Sequence, residues 1–534
     1  MKVGEWLGDK FFNINGVVDK KLNEKLENVY RVKTPGKEIQ TDLLFNYRQR
    51  EYKAWALDSA NKLLEFYSTQ FAPQPFNADR LLFWSWVKGV DVPKLHYSAP
   101  QRIINQMKSL LFSQELDINI DTGNKSRDKE LKKDLDRILE DNNIYELLQK
   151  SVNYETYSGT LAWKPVMDTE VSDSPVVEPY PAESIVFKAK LKKAQEIIFI
   201  DEYLVNKKYY YLKSIYGKGY IRYELWDDRF KKQVPLATVQ ELKDYKNIVV
   251  LGRDGKPIPV LLATYKKNRE VNSEFPESLY GGSDFQGVID SFQLIDELYS
   301  QKQLVVRRSR PTQTLLEEQL PYNEKTGKTY VPKEYERDTL IVRKTSDVKD
   351  NGRFSRDIPQ LMVAEYDNAI QEELKNIFAT IGMAYTSVGL EAHSANISGV
   401  ALETKEKATV IIRNNKIRLW KQFLKDSLRL LMIMDSLKTA DYSVDEDVIT
   451  FRIDNLFDYE FQIEFPSFYD LSIDEKVDTA SKLIENGIID RKTAFKRVFG
   501  NEYEEAEINE IVRNSKLESG IPLLAQEVPT SQEE

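Results

Sequence analysis

Residues Tyr280–Ser300 read YGGSDFQGVIDSFQLIDELYS, and this stretch decides how the rest of the chain is interpreted. Two glycines end an irregular segment, and Ser283 stands three residues before Gln286, a capping-box spacing that predicts the start of a helix. At about 100° per residue, apolar side chains gather on one side of this helix: Phe285, Val288, Phe292, Ile295, Tyr299 and Val306. Acids and amides without lysine or arginine gather on the other side: Gln286, Asp290, Gln293, Glu297, Ser300 and Gln301. A solvated surface is the ordinary explanation of such a face.

Length and composition set the frame for this helix. The chain has 534 residues, of which 41% are hydrophobic and 30% charged, so we expect a folded protein of several domains. Neither a long apolar window nor a secretory signal is found, and we expect no membrane partner. The absence of cysteine excludes disulfides and thiolate metal sites and suits a reducing cytosol. A net charge of −9 argues against a protein that coats DNA, although not against one that lets DNA pass.

Hydrophobic periodicity predicts an α+β fold that is mainly helical. Apolar residues at helical spacing predict helices within 41–67, 94–115 and 129–157. An alternation of apolar and polar residues then predicts an antiparallel sheet at about 160–265. A second long helix, predicted at 359–381, and the helix after Tyr280 bracket a small mixed insert. The longest helical pattern starts at Ser398. Beyond it the sequence predicts a strand pair at 448–465, short helices from a capping box at Ser472, and a disordered tail.

Sites for chemistry are sparse. Thr326-Gly327-Lys328-Thr329 lacks the earlier glycine and the strand and helix that a phosphate-binding loop requires, so the sequence predicts a turn there. The two histidines, His96 and His393, lie far apart, which argues against a histidine metal site or catalytic triad. We expect His96 to cap or pack at a helix start. The sequence predicts no catalytic residue, no metal site and no cofactor.

A basic cluster follows the first long helix and consists of Lys302, Arg307, Arg308 and Arg310. These cations could contact phosphate. They could equally form a solvated helix end, where positive charge favours the negative pole of the helix. The sequence leaves both explanations open.

The order of these parts resembles the portal proteins of tailed bacteriophages, of the kind found in siphophages of Gram-positive hosts. Six segments carry the resemblance across nearly the whole chain: 98–118, 139–164, 180–185, Tyr280–Ser300, 398–402 and 485–490. The domains that the resemblance implies are a wing (1–283, with the sheet at about 160–265), a first stem helix (284–305), a clip (306–358), a second stem helix (359–381), a tunnel-loop region (382–398), a long helix with wing strands (399–466), crown helices (467–520) and a disordered tail (521–534).

The resemblance also implies a function. Proteins of this family form a ring, usually a dodecamer, at one capsid vertex of the virion, and double-stranded DNA is packaged and ejected through the ring without sequence specificity. We therefore expect assembly in the host cytoplasm and contacts with the major capsid protein, the terminase large subunit and the head–tail adaptor. Four stem residues are expected to face the channel: Gln286, Asp290, Gln293 and Glu297. Five residues are assigned to the tunnel loop: Gly389, Glu391, His393, Ser394 and Asn396.

Two other functions remain as alternatives. The chain could be a different head-assembly or scaffolding component of the virion that never surrounds DNA. It could also be a nucleic-acid enzyme, although the missing phosphate-loop glycine and the shortage of histidine argue against that.

Overall fold

A computed structural model describes residues 40–68, 83–84, 93–168, 171–227, 232–308, 312–316, 320–330, 339–343, 355–357, 362–385, 399–453 and 460–466, together with 480–482, 484 and 494. The chain divides into two compact units, Met1–Phe465 and Pro466–Glu534. The second unit is described only at Pro466 and at a few helical positions. Among the described residues, no helix is long and apolar enough to cross a membrane.

The described helices of the first unit lie in the regions where apolar spacing predicts helices, and particular residues set their ends. Asn124 caps one of them through its side-chain oxygen, which accepts from the N–H of Ser126 at 3.2 Å. Gly159 and Gly382 end two others in the left-handed conformation, at φ of +78° and +81°. The helices are α1 (Gln40–Ala56), α2 (Ala60–Ser68), α3 (Ala99–Phe112), α4 (Lys125–Asp141), α5 (Ile144–Ser158), α6 (Ile289–Arg308), α7 (Val363–Ile381) and α8 (Gly399–Ser436).

The strands form one large sheet and several small ones. They are β1 (Asp117–Asp121), β2 (Thr160–Val166), β3 (Val176–Pro181), β4 (Ile185–Lys190), β5 (Lys193–Val205), β6 (Lys208–Gly217), β7 (Tyr220–Asp227), β8 (Gln233–Val234), β9 (Asn247–Leu251), β10 (Thr264–Lys267), β11 (Thr312–Leu316), β12 (Tyr322–Asn323), β13 (Lys328–Thr329), β14 (Thr339–Arg343), β15 (Ser355–Asp357), β16 (Asp441–Val444), β17 (Val448–Arg452) and β18 (Glu460–Glu464). The large sheet has the order β16-β17-β9-β7-β6-β5-β4, with β8 paired to β7. The small sheets are β10-β2-β3, β14-β11-β15, β12-β13 and β1-β18. Helices and sheets together confirm an α+β fold.

Among the described residues, two large hydrophobic cores hold these layers together, and a small third core contains Leu212, Leu225, Val239 and Leu242. The larger core lies among the helices and includes Trp55, Trp420 and Phe292, all buried. The second lies under the large sheet and is built from strand residues such as Phe187 and Phe199, joined by the far end of α8. Because α8 contributes to both cores, it ties the helical layer to the sheet.

The start of the first long helix differs from the prediction. The Ser283 hydroxyl accepts from the N–H of Phe285 at 2.9 Å and so stabilises a turn. Gly287 then adopts a φ of +82°, and this left-handed conformation interrupts a right-handed helix. Helix α6 therefore begins at Ile289, after the glycine.

Two further expectations need correction. The single helix predicted at 129–157 is two helices, because Asn143 adopts a left-handed φ of +44° between α4 and α5. The strands predicted at 448–465 exist, but β17 and β18 do not pair with each other. Strand β17 runs parallel to β9, and β18 runs antiparallel to β1. Alternation along the chain identifies a strand, whereas the partner is chosen by distant residues.

Candidate functional site

The two long helices on either side of the insert lie against each other in opposite directions. Near one end of the pair, the Lys302 ammonium on α6 lies 2.5 Å from the Asp367 carboxylate on α7. Near the other end, a Cβ placed on Gly287 would lie 3.9 Å from the methyl carbon of Thr380. Helices α6 and α7 therefore form an antiparallel pair, called here the helix pair.

The inner side of the helix pair belongs to the larger hydrophobic core. Phe292 and Ile295 of α6 are buried there with Leu374 and Phe378 of α7. Full burial of one such side chain stabilises the fold by about 1.5–3 kcal/mol. The core therefore fixes which sides of the two helices face outward.

Acids, amides and small residues make up the outer side. On α6, Asp290 is exposed and Glu297 and Gln301 are partly exposed. The exposed positions of α7 are Ala364, Glu365, Asn368, Gln371, Glu372, Asn376, Ala379 and Thr380. No lysine or arginine occurs between Gly287 and Gln301. The partly exposed Lys302 and Lys375 are held by Asp367 and Glu372, the latter at 3.1 Å. The outer side thus carries an excess of negative charge.

The polar stripe predicted on α6 is only partly on this outer side. Of the predicted stripe, Gln293 is 5% exposed and Ser300 is fully buried, as is Asp296, which is not part of it. Conversely, two apolar side chains are exposed. Leu294 is 43% exposed, and Val306 is 44% exposed although the sequence predicts that it packs. A helical wheel cannot predict which polar residues are buried, because these residues bond to groups elsewhere in the chain. Of the four residues expected to face the channel, Gln286, Asp290 and Glu297 are the more accessible. Their position in a channel stays a prediction.

His96 is one of the groups that bond to the buried polar residues of α6. Its two ring nitrogens lie 2.8 Å from the Asp296 carboxylate and 2.9 Å from the Asp58 carboxylate. Asp296 also accepts from the N–H of Tyr97 at 2.7 Å and from the indole N–H of Trp84 at 3.0 Å. Burial lowers the pKa of His96, but the two carboxylates outweigh burial and hold that pKa above its usual value. His96 thus packs three residues before α3, and it fastens α6 to the loop between α1 and α2.

A buried charge network fixes the turn that precedes α6. The Asp284 carboxylate lies 2.8 Å from the Lys416 ammonium of α8 and 3.1 Å from the Arg269 guanidinium. Asn268 also bonds to Lys416. Burial raises the pKa of Asp284, but the two cations outweigh burial and hold that pKa below its usual value. This network orients the helix pair relative to the longest helix.

A second buried ion pair lies beside this network. Lys266 of β10 bonds to the Glu155 carboxylate of α5, which also accepts from the indole N–H of Trp420 at 2.9 Å. Lys266, Glu155 and Trp420 are all at most 3% exposed. Pairs buried in this way hold their elements in one arrangement, because separating them would leave an unpaired charge out of water. Sequence reasoning missed both ion networks, since acids and lysines are too common for their pairing to be read from spacing.

Other residues singled out by the sequence fall in three places. Lys302 is paired with Asp367, Arg307 is exposed in the last turn of α6, and Arg308 is its last residue. Thr326 and Gly327 lie in the turn between β12 and β13, which confirms the turn and excludes a phosphate loop. Outside the described residues lie Arg310 and the tunnel-loop set Gly389, Glu391, His393, Ser394 and Asn396.

Within the described part of the chain, no three histidine, aspartate or glutamate side chains form a group that could hold a metal ion. The buried ion pairs described above, Asp284–Lys416 and Glu155–Lys266, connect helices and strands to one another. Fold and site together define a mixed α+β protein. Its distinctive feature is the helix pair, whose inner side packs in the larger hydrophobic core and whose outer side is charged.

Comparison with known proteins gives the family. A family model described as phage portal protein, SPP1 Gp6-like, matches residues 94–519, and the chain belongs to this family. It is a portal protein of a virion and stands at the capsid vertex. The family is a structural one, and the type of host stays a prediction.

Solved structures add a distant likeness. The virion of a native gene transfer agent particle contains a chain 10% identical, with a TM-score of 0.35, over 78% of this chain and 89% of that one. The neck of an empty gene transfer agent particle, computed with C6 symmetry, contains one 9% identical, with a TM-score of 0.36, over 78% and 90%. No curated protein matches the sequence.

Proposed function

We propose that this portal protein assembles into a homo-oligomeric ring, a dodecamer, and that the helix pair lines the channel through which double-stranded DNA passes. The observation that carries the proposal is the outer side of the helix pair. It bears acids and amides from both helices, and its two partly exposed lysines are ion-paired.

Counterion release explains why such a surface suits a conduit. Each phosphate that a lysine or arginine neutralises strengthens the hold on DNA, so a basic lining would retard sliding. Carboxylates facing the phosphates repel the duplex weakly and keep it near the axis. Asp290 and Glu297 of α6 would supply this repulsion together with Glu365 and Glu372 of α7.

The roles of the clip, tunnel loop, crown and wing are assigned from the order of these parts along the chain. The insert at 306–358 is the clip that docks the terminase large subunit and later the head–tail adaptor. The exposed hairpin β12–β13 belongs to it and presents Tyr322 and Tyr330, which are 62% and 51% exposed. Residues 382–398 form the tunnel loop, 467–520 the crown, and the wing contacts the major capsid protein.

Negative-stain images of the purified chain test the ring. A closed ring with a central hole is expected, whereas monomers or open shells would favour a scaffolding component that never surrounds DNA. ATP turnover by the purified chain alone would revive the enzyme alternative.

Single cysteines test the lining, since the natural chain has none. Asp290→Cys, labelled with a bulky maleimide in the assembled ring, should block DNA packaging. Asp254→Cys carries the control label on the turn after β9. Equal packaging by the two labelled rings would show that the helix pair does not face the DNA.

A further inference from the structure

The large sheet ends in two edges of opposite charge. At one edge, β4 and its hairpin to β5 carry four lysines: Lys188, Lys190, Lys192 and Lys193. At the other edge, β16 and the turn after it carry four carboxylates: Asp441, Asp445, Glu446 and Asp447. These two groups are called the basic edge (residues 188–193) and the acidic edge (residues 441–447).

Part of the basic edge is neutralised within the protomer. Lys188 pairs with Glu196 at 2.7 Å, and Lys192 pairs with Glu277 at 2.6 Å. Lys190 and Lys193 form no ion pair in the described part of the chain. The basic edge therefore keeps a net positive charge.

The acidic edge is more open. All of residues 441–447 are exposed, and their four carboxylates make no ion pair with any described residue. Arg452 lies opposite Asp441 in the strand register and offsets one of these charges. The acidic edge therefore keeps a net negative charge.

Exposed apolar side chains accompany the charges at both edges. Leu191 is 90% exposed at the tip of the basic hairpin, and Tyr442 and Val444 are 66% and 51% exposed on β16. Lysines on an edge strand often serve only to prevent unwanted pairing between sheets. That role explains the charges but not the apolar side chains beside them. Apolar groups with a charged rim are the usual anatomy of a protein interface.

The tip of the basic hairpin is built at a conformational cost. Leu191 and Lys192 form a two-residue turn with φ of +51° and +57°. Such a turn favours Asn-Gly, since a left-handed conformation is unfavourable for a residue with a bulky side chain. The β5–β6 hairpin has the same conformation at Asn206 and Lys207, so strain alone does not identify a contact surface; here it presents Leu191 to solvent.

We propose that the basic edge of one protomer docks on the acidic edge of the next copy of this chain. A ring of identical subunits is closed by head-to-tail contacts, in which each subunit offers two different and complementary surfaces. The two edges meet this requirement because they are unlike in charge and lie at opposite ends of one sheet. The inference rests on the proposed ring and names the surfaces that build it.

Charge exchange on the purified full-length chain tests the contact. Lys190→Glu with Lys193→Glu should raise the protein concentration for half-maximal ring assembly about tenfold or more, and Asp445→Lys with Asp447→Lys should do the same. Combining all four substitutions in one chain should restore assembly. Assembly is followed by mass photometry, and circular dichroism verifies that each variant is folded.

Cysteine pairing provides an independent measurement. A chain with Lys193→Cys and Asp445→Cys should yield a ladder of disulfide-linked oligomers on oxidation of the assembled ring. The matched control carries Lys207→Cys with Asp445→Cys, where Lys207 lies in the turn at the opposite end of β5.

The strained turn gives a third variant. Leu191→Asn with Lys192→Gly should raise the melting temperature of the protomer and weaken assembly at the same time. Lys207→Gly relaxes the equivalent φ of +64° in the other hairpin and should leave assembly unchanged.

The outcomes separate this inference from the proposed function. A wild-type chain that stays monomeric would overturn both the ring and this contact. Wild-type rings that tolerate both charge reversals and give no ladder would overturn the edge contact alone.

Discussion

Lys416 and Asp284 show at the scale of single residues how the helix pair is held. Both side chains are at most 6% exposed, and each also bonds to a neighbouring group, Asn268 or Arg269. A buried pair adds little net stability compared with apolar residues, but losing one partner leaves a charge out of water. The network therefore resists rearrangement more than it stabilises the fold.

Lys416→Met should lower the free energy of unfolding by about 3–5 kcal/mol, because Asp284 loses its closest cation. Adding Asp284→Asn should recover part of this loss. Denaturant unfolding measures both effects.

Arg418→Met provides the matched control for this substitution. Arg418 lies on the same helix and pairs with Glu270 at 2.8 Å, but both side chains are more than half exposed. Its loss should cost less than about 1 kcal/mol. Equal effects at 416 and 418 would mean that the network is not buried in solution.

His96 makes stability depend on pH. Its raised folded-state pKa means that the contribution is complete below the unfolded pKa of about 6.5 and is lost as pH rises through the higher folded value. His96→Gln keeps a polar side chain without the charge. The melting temperatures of the two proteins should therefore differ most at acid pH and converge as pH rises, and a constant difference would rule out an effect of protonation.

At the scale of elements, the sequence predicts more of the fold than of the site. Apolar spacing predicts α3, α7 and α8, the sheet region at about 160–265 and the strands within 448–465, because burial imposes its period directly on the chain. The capping box predicts too early a start for α6, because the sequence pattern does not reveal the left-handed φ of Gly287. The pairing of Asp296 with His96 could not be predicted, because about 200 residues separate them.

The insert between α6 and α7 is an element that can be removed. Its strands β11, β14 and β15 pair only with one another in the described part, and β12 pairs with β13. The ends it connects lie close together, as the contact between Lys302 and Asp367 shows.

Replacing residues 312–357 by a short Gly-Ser linker should keep the melting temperature of the remaining protein within a few degrees. Binding of the terminase large subunit, measured by pull-down, should be lost. A control linker that replaces only Glu324–Gly327 in the hairpin turn should leave stability unchanged. Full terminase binding by the deletion variant would contradict the clip assignment.

At the scale of the whole molecule, the proposed channel lining predicts that charge affects the passage of DNA. Each protomer has a net charge of −9, and the helix pair concentrates part of it on one surface. Repulsion between exposed charges falls with ionic strength, since the Debye length is about 30 Å at 0.01 M and about 8 Å at 0.15 M.

Asp290→Lys with Glu297→Lys should therefore slow DNA packaging, and the slowing should be larger at low salt than at high salt. Packaging rates at several salt concentrations measure the effect. Asp244→Lys with Asp254→Lys changes the net charge equally on loops of the sheet region and should package normally. If both double variants behave alike, net charge and not the lining controls passage.

The parallel pairing of β17 with β9 has a consequence for synthesis. Their register joins Leu251 to Arg452, so about 200 residues must leave the ribosome before the sheet is complete. At 5–20 residues per second, β9 waits for roughly 10–40 s with an open edge that a molecular chaperone would have to shield. The acidic edge at 441–447 leaves the ribosome immediately before β17. Under the proposed edge contact, a nascent chain therefore cannot offer its acidic edge to a neighbour until its own sheet is nearly complete.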